Sequence, residues 1–231
     1  MEPCTSYIIL CYYFLVNRKI SFVQGEYYHV YCRGVEKRLI FQDKKDRERF
    51  QNLLFLCNGT KPIIYRLIQG STLYQTDVGK KIVAIGAYTL MPNHIHILIR
   101  AISDNGITEF MRKLNTAYSM YFNKKYERVG PLFQGTFGAE HVVSDEHLKY
   151  LFAYIHLNII KIIEPKWREI GIRNIKKATE YLNIYNFSSY SDYTNKRVKD
   201  NNILTKIEFP EYFIEENSFA IYVNEWLQFE K

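Results

Sequence analysis

Short alternating runs of polar and apolar residues predict four strands in this chain. The stretch 25–34, GEYYHVYCRG, alternates and is rich in Tyr and Val, as strands usually are. Two further runs, 81–90 and 94–100, flank Met91-Pro92-Asn93, which reads as a compact turn with Pro near its first corner. The glycine-punctuated stretch 130–143 becomes strand-like towards its end.

Helical periodicity marks the segments between these strands. Residues 43–58 begin with a capping Asp and carry apolar residues at helical spacing. Residues 108–126 form an amphipathic pattern, and Ser144 caps a strong helix that is predicted to reach about Ile163, before Pro165. The stretch 59–81 contains several Gly and Pro residues and is predicted to be a long connection.

The element order is strand, helix, two strands, helix, strand, helix, which predicts an α+β fold. We expect a ferredoxin-like antiparallel sheet with helices packed on one face. The sequence divides into an extension of unknown role at 1–24, a main domain at 25–163 and a mostly helical C-terminal appendage at 164–231. Short helices are predicted around 175–182 and 219–229 in the appendage.

Charge and cysteine content narrow the class of protein. The 231 residues carry a formal net charge of +7, which favours a polyanionic partner. The four cysteines form no C-x-x-C pair, so we expect a cytoplasmic protein without a disulfide framework. The apolar N-terminal run, about a dozen residues long, is shorter than the ~20 residues that span a bilayer. It fits either an added edge strand or a start codon placed too early.

The run LMPNHIHIL contains the first candidate site residues. Side chains alternate between the faces of a strand, so His94 and His96 share one face while Ile95 and Ile97 share the other. Two imidazoles at this spacing can reach one divalent ion, but an isolated His-x-His pair is more often structural.

A second candidate set lies in the predicted helix that starts at Ser144. Its apolar stripe faces one way, and Tyr150, Tyr154, Asn158 and Lys161 follow a neighbouring line at spacings of three and four. Tyr154 and Asn158 are therefore neighbours that can point at the same site. Taken without the histidines, this pattern is equally typical of polar residues at the edge of a core.

Several stretches together resemble a known family. The run 90–99, LMPNHIHILI, resembles the HUH (His-hydrophobic-His) motif of the single-tyrosine transposases. The stretches 114–137 and 150–158 are similar to those that follow this motif in the REP-associated tyrosine transposase (RAYT) branch. Residues 25–50 resemble that branch's first strand and helix, and 185–193 resemble part of its tail.

The resemblance implies a chemistry for the candidate residues. His94 and His96 would hold a divalent metal, Mg²⁺ or Mn²⁺, with Asn158 as a third, polar ligand. Tyr154 would attack single-stranded, hairpin-forming DNA and become linked to its 5′-phosphate, so that strands can be rejoined. The resemblance implies that the protein binds DNA and no membrane. It would act as a monomer or a homodimer.

The sequence also departs from the family. Basic residues common in its FQGRFK-like turn are replaced here by Thr136 and Gly138, and the helix ends in HLNIIKI. Compensating DNA contacts are predicted from basic residues of the second helix and its end, although these also fit a solvated helix face. They are Arg112, Lys113, Lys124, Lys125 and Arg128.

Two alternative functions remain open from the sequence. One is a catalytically silent, domesticated protein that binds hairpins in single-stranded DNA without turnover. The other is an unrelated metallohydrolase that uses His94 and His96, which is disfavoured because no carboxylate-rich motif completes a metal site.

Overall fold

The structure is a computed structural model that describes residues 20–68, 70–194, 202–212 and 218–228. The predicted extension at 1–24 lies mostly outside these ranges. None of the helices in the described ranges is both long and apolar enough to cross a membrane.

The core of the molecule is a four-stranded antiparallel sheet. Its strands are β1 (Tyr27–Arg33), β2 (Val83–Met91), β3 (His94–Ala101) and β4 (Gly138–His141). Their order in the sheet is β2-β3-β1-β4, and each neighbouring pair is antiparallel. The α+β class and the antiparallel sheet predicted from the sequence are therefore confirmed.

A two-residue turn joins β2 to β3 and positions the histidine run. Pro92 and Asn93 form this turn, and Met91 pairs with His94 across it. The carbonyl oxygen of Pro92 accepts a hydrogen bond from Ile40 N (2.9 Å), and that of Asn93 accepts one from Gly34 N (2.9 Å). The turn is thus fastened to the chain that leaves β1, which fixes where β3 begins.

Two helices cover one face of the sheet, as predicted. They are α1 (Lys44–Leu56), which follows a capping box between Asp43 and Asp46, and α2 (Gly106–Lys125). Their apolar residues pack with the isoleucines of β3 in a first core. Short 3-10 turns lie at Val35–Lys37, Tyr65–Leu67 and Gly70–Gln75, the last two inside the predicted connection.

The opposite face is also covered by helices, in contrast to the single covered face expected from the sequence. The helix α3 (Asp145–Leu157) begins at the cap Ser144 and continues as a 3-10 turn, Asn158–Ile162. Its apolar stripe packs in a second core against Ala84, Ala87 and Leu98 of the sheet. The strands β2 and β3 carry buried apolar residues on both faces, so each face requires a cover.

The C-terminal segment completes this second core. Its helices are α4 (Trp167–Ile170), α5 (Ile175–Ile184), α6 (Tyr190–Tyr193) and α7 (Ser218–Gln228), with a 3-10 turn at Lys206–Glu208. This segment contributes buried residues that include Leu182, Val223 and, just after the 3-10 turn, Phe209. A Cβ on Gly86 would lie 2.5 Å from Cε1 of the Phe209 ring. The lack of a side chain at Gly86 therefore lets this ring pack against the sheet. The domain boundary at 163/164 stays a prediction.

A buried carboxylate ties α1 to α2. Asp46 is fully buried, and its oxygens accept hydrogen bonds from Gln42 N (2.8 Å), Lys125 Nζ (2.7 Å), Tyr126 Oη (2.8 Å) and Tyr121 Oη (3.0 Å). Burial raises the pKa of Asp46, but these hydrogen bonds outweigh it and hold the pKa below its ordinary value.

We expect Asp46→Asn to lower the free energy of unfolding by about 2 kcal/mol at neutral pH, because hydrogen bonds to a charged group are lost. Since folding lowers the pKa of Asp46, its contribution is present above the unfolded pKa near ~3.9 and disappears on acidification. Urea denaturation at several pH values measures both effects. Glu48→Gln removes an exposed pair with Lys44 on the same helix and serves as control. Equal losses in the two variants would contradict the role of Asp46.

Candidate active site

Three histidines meet on the sheet face that α3 covers. In the antiparallel register of β1 and β3, Tyr31 lies opposite His96 and His29 lies opposite Leu98. The rings of His94 and His96 are 5.0 Å apart, and the ring of His29 stacks on His96 at 5.0 Å. Ile95, between the paired histidines, and Ile97, after them, belong to the first core, on the other face.

Hydrogen bonds hold both rings of the His-x-His pair. His94 Nδ1 lies 2.6 Å from the side-chain oxygen of Asn93, and His96 Nδ1 lies 2.8 Å from His29 Nε2. An amide oxygen only accepts, so His94 carries its proton on Nδ1 and keeps the lone pair of Nε2 available.

Tyr154 of α3 faces these histidines. Its ring centroid is 5.8 Å from that of His96 and 5.7 Å from that of His29, in edge-on contacts. Asn158, one helical turn later, is buried, and its amide nitrogen donates to the carbonyl oxygen of Tyr154 (2.8 Å). The structure therefore brings Tyr154 to the histidine pair and places Asn158 directly beside Tyr154.

Arg168 of α4 contacts both of these helical residues. Its Nη2 donates to Asn158 Oδ1 (3.0 Å), and its Nη1 lies 3.5 Å from the hydroxyl of Tyr154. The guanidinium carbon lies 4.5 Å above the Tyr154 ring, which is a cation–π contact. A permanent positive charge thus lies at the phenol oxygen, where it would favour the phenolate over the phenol.

The electrostatics of the site keep the imidazoles of His94 and His96 neutral. Burial, together with the charges of Arg33, Lys161 and Arg168, lowers the pKa of His94 to about 3. Burial and the neighbouring histidines lower the pKa of His96 well below its usual range. Neutral imidazole is the form that binds metals, and the three cations make the same region attractive to phosphate.

The donor set fits a divalent metal. His94 offers Nε2, His96 offers its second ring nitrogen, and Asn158 offers an amide oxygen that already accepts from Arg168. Mixed nitrogen and oxygen donors of this kind suit Mn²⁺ or Mg²⁺. Within the described ranges, no three His, Cys, Asp or Glu side chains cluster so as to hold a metal by themselves, so the third ligand would be the amide.

The basic residues predicted to bind DNA lie on or just after α2, whose apolar stripe packs in the first core. Arg112 and Lys124 are exposed there. The other three make intramolecular contacts: Lys113 with a backbone carbonyl and a glutamate, Lys125 with two aspartates, and Arg128 with an asparagine. The histidines and Tyr154 are on the other face of the sheet, so these five cations and the candidate active site are not brought together.

Gly138 has a structural reason to lack a side chain. A Cβ at this position would lie 2.3 Å from the Cε2 and Cζ atoms of the Tyr31 ring. Tyr31 packs beside His29 and His96, with ring centroids 5.5 and 6.4 Å away. Tyr31 therefore occupies the space that a basic side chain at 138 would need, whereas Thr136 is exposed.

Sequence reasoning missed several residues that border the site. His29 stands alone in its strand, and its pairing with His96 depends on the register between two distant strands. Arg168 lies in a polar stretch without periodicity.

His156 is buried, with Nδ1 2.6 Å from the Phe152 carbonyl oxygen and Nε2 2.7 Å from Ser189 Oγ, so it serves the core.

An antiparallel sheet with paired histidines opposite a helical tyrosine is the arrangement that the resemblance to the single-tyrosine transposases leads us to expect. Residues 22–158 match the model of the family described as "Transposase IS200 like", and the chain belongs to this family. A solved structure of a REP-associated tyrosine transposase bound to a REP hairpin has the same fold, with a TM-score of 0.50. The two share 10% identity over 87% of this chain and 94% of that one. Among curated proteins no match is found.

We expect Gly138→Ala to lower the free energy of unfolding by about 1–3 kcal/mol, because the Tyr31 ring must move to admit a Cβ. Tyr31→Leu removes the clashing ring atoms, so the double variant should lose less than the sum of the two single variants. Urea denaturation measures all three. Thr136→Ala, at an exposed position two residues before β4 begins, is the control. Strictly additive losses would contradict the proposed clash.

Proposed function

We propose that this protein is a metal-dependent transposase-like enzyme that nicks and rejoins single-stranded DNA through a covalent bond to Tyr154. The main support is the position of the Tyr154 ring, 5.8 Å from His96 and in contact with the Arg168 guanidinium. A nucleophile, a metal-binding pair and a fixed positive charge therefore share one site. Membership of the IS200-like transposase family supports the same activity.

The proposed reaction exchanges one phosphodiester for another. The hydroxyl oxygen of Tyr154 attacks the scissile phosphorus, and the bond from phosphorus to the 3′-oxygen breaks. The phenol proton leaves to solvent, and the departing 3′-oxygen takes up a proton to become a 3′-hydroxyl. The product is a 5′-phosphotyrosyl link, so a later attack by a 3′-hydroxyl rejoins the strand without an external energy source.

The chain's own residues divide the remaining tasks. His94, His96 and Asn158 would hold the divalent ion, Mg²⁺ or Mn²⁺, which when bound acts as a Lewis acid on the scissile phosphate. Arg168 would stabilise the phenolate form of Tyr154, because its Nη1 is 3.5 Å from the hydroxyl. Arg33 and Lys161, whose charges act on His94, would hold the phosphate backbone near the site.

The proposed substrate is single-stranded DNA that folds into a hairpin. This choice draws on the solved REP-associated tyrosine transposase, which is bound to a REP hairpin. The net charge of +7 also favours a nucleic-acid partner. Action as a monomer or a homodimer is equally compatible with this proposal.

We expect wild-type protein, incubated with Mn²⁺ and an end-labelled hairpin oligonucleotide, to form a covalent adduct that survives denaturing electrophoresis. Tyr154→Phe should abolish the adduct because it lacks the nucleophilic oxygen. Tyr150→Phe is the matched control, since this tyrosine lies one turn earlier on α3 and contacts the Tyr154 ring at 5.6 Å. Binding without any adduct would favour the silent hairpin-binding protein. An adduct that persists in Tyr154→Phe would disprove the assigned nucleophile.

Arg168→Gln should slow adduct formation roughly a hundredfold at neutral pH, because a preorganised charge at the reacting oxygen is removed. Since Arg168 favours the phenolate, the loss should shrink as the pH is raised towards the ~10 at which free tyrosine ionises. Single-turnover rates between pH 7 and pH 10 measure this, with exposed Arg173→Gln as control. A deficit that stays constant across the pH range would argue against phenolate stabilisation.

A further inference from the structure

His29 is a fully buried imidazole in one of the two inner strands of the sheet, on the same face as the candidate metal ligands. Burying a polar ring atom without a hydrogen bond is costly, and of its two ring nitrogens only Nε2 has a hydrogen-bond partner. Its Nε2 lies 2.8 Å from His96 Nδ1, and its Nδ1 lies 3.9 Å from a carboxylate oxygen of Glu140 on β4.

These contacts form a chain behind the metal-binding pair. Glu140 lies directly opposite His29 in the pairing of β1 with β4, and its carboxylate is partly exposed. The neighbouring His29 ring is the main cause that holds the pKa of Glu140 below its ordinary value, and His147 at the start of α3 acts in the same direction. The carboxylate is therefore charged, and its oxygen 3.9 Å from Nδ1 of His29 is too far away for a hydrogen bond but close enough to act on the ring electrostatically.

The position of the proton on each of the two histidine rings decides what His96 can do. A negative carboxylate beside His29 Nδ1 favours a proton on that nitrogen. In neutral His29 the lone pair is then on Nε2, which accepts from His96 Nδ1–H. His96 Nε2 consequently has no proton and is available as a donor to a metal. The opposite polarity would place a proton on His96 Nε2 and block it.

We propose that His29 and Glu140 are a positioning pair that keeps the His96 proton on Nδ1 and its Nε2 free for the divalent ion. The inference rests on the proposed metal-dependent function and assigns to it two residues that do not touch the metal. Histidine ligands are commonly held in this way by a second group on their other nitrogen, and loss of that group typically weakens metal binding about 10- to 100-fold.

The first measurement is the affinity of the full chain for Mn²⁺ by calorimetry, without DNA. We expect His29→Phe to weaken binding about 10- to 100-fold and Glu140→Gln to weaken it about 3- to 10-fold. His29→Gln should stay closer to wild type, because its amide oxygen can accept from His96 Nδ1–H. The matched control is Glu26→Gln, which breaks the exposed pair between Glu26 and His141 at 2.9 Å, next to Glu140.

The second measurement is the ring protonation of His96 by ¹H–¹⁵N NMR of metal-free protein. We expect a proton on Nδ1 in wild type and a mixture of the two ring tautomers in Glu140→Gln. A proton on Nε2 in wild type would overturn the proposal, as would wild-type Mn²⁺ affinity in folded His29→Phe. If His29→Phe does not fold, Glu140→Gln and the wild-type spectrum decide. A wild type with the expected tautomer but no Mn²⁺ affinity would instead overturn the metal-dependent function.

Discussion

The strict alternation of side chains along β1 and β3 is the constraint on which the rest of the structure depends. Both strands are inner strands, and helices cover both faces of the sheet. A residue buried on either face must therefore join an apolar core or find a polar partner. The isoleucines of β3 fill the first core, and this leaves His94 and His96 on the second face, where β1 adds His29 from the neighbouring strand.

The helix α3 serves both packing and chemistry. Its apolar stripe closes the second core, while Tyr154 and Asn158 lie on the adjoining line that faces the histidines. Because the stripe fixes the rotation of the helix, packing also fixes the position of Tyr154 relative to the histidines. Arg168, beyond the 3-10 turn that ends this helix, adds the charge that the sequence alone does not reveal.

Local patterns account for what the sequence could predict. Period-two and helical spacing identified each strand and main helix, and the spacing of four placed Tyr154 beside Asn158. Contacts between distant parts of the chain could not be predicted. His29 reaches His96 through the register of β1 and β3, and no local pattern in the sequence encodes that register. The apolar stripe of α3 likewise does not indicate which face of the sheet the helix covers. The prediction that helices cover one face was therefore incomplete. The roles assigned to the site residues remain predictions.

The contact of Phe209 with Gly86 has a consequence for how the chain is organised. The sheet has no side chain at this position and receives an aromatic ring from far along the sequence, while Arg168 from the same C-terminal segment contacts Tyr154. A fragment that stops at residue 163 would keep every candidate metal ligand, yet it would expose an apolar recess and lose a guanidinium. Exchange of this segment between relatives would therefore alter reactivity as well as solubility.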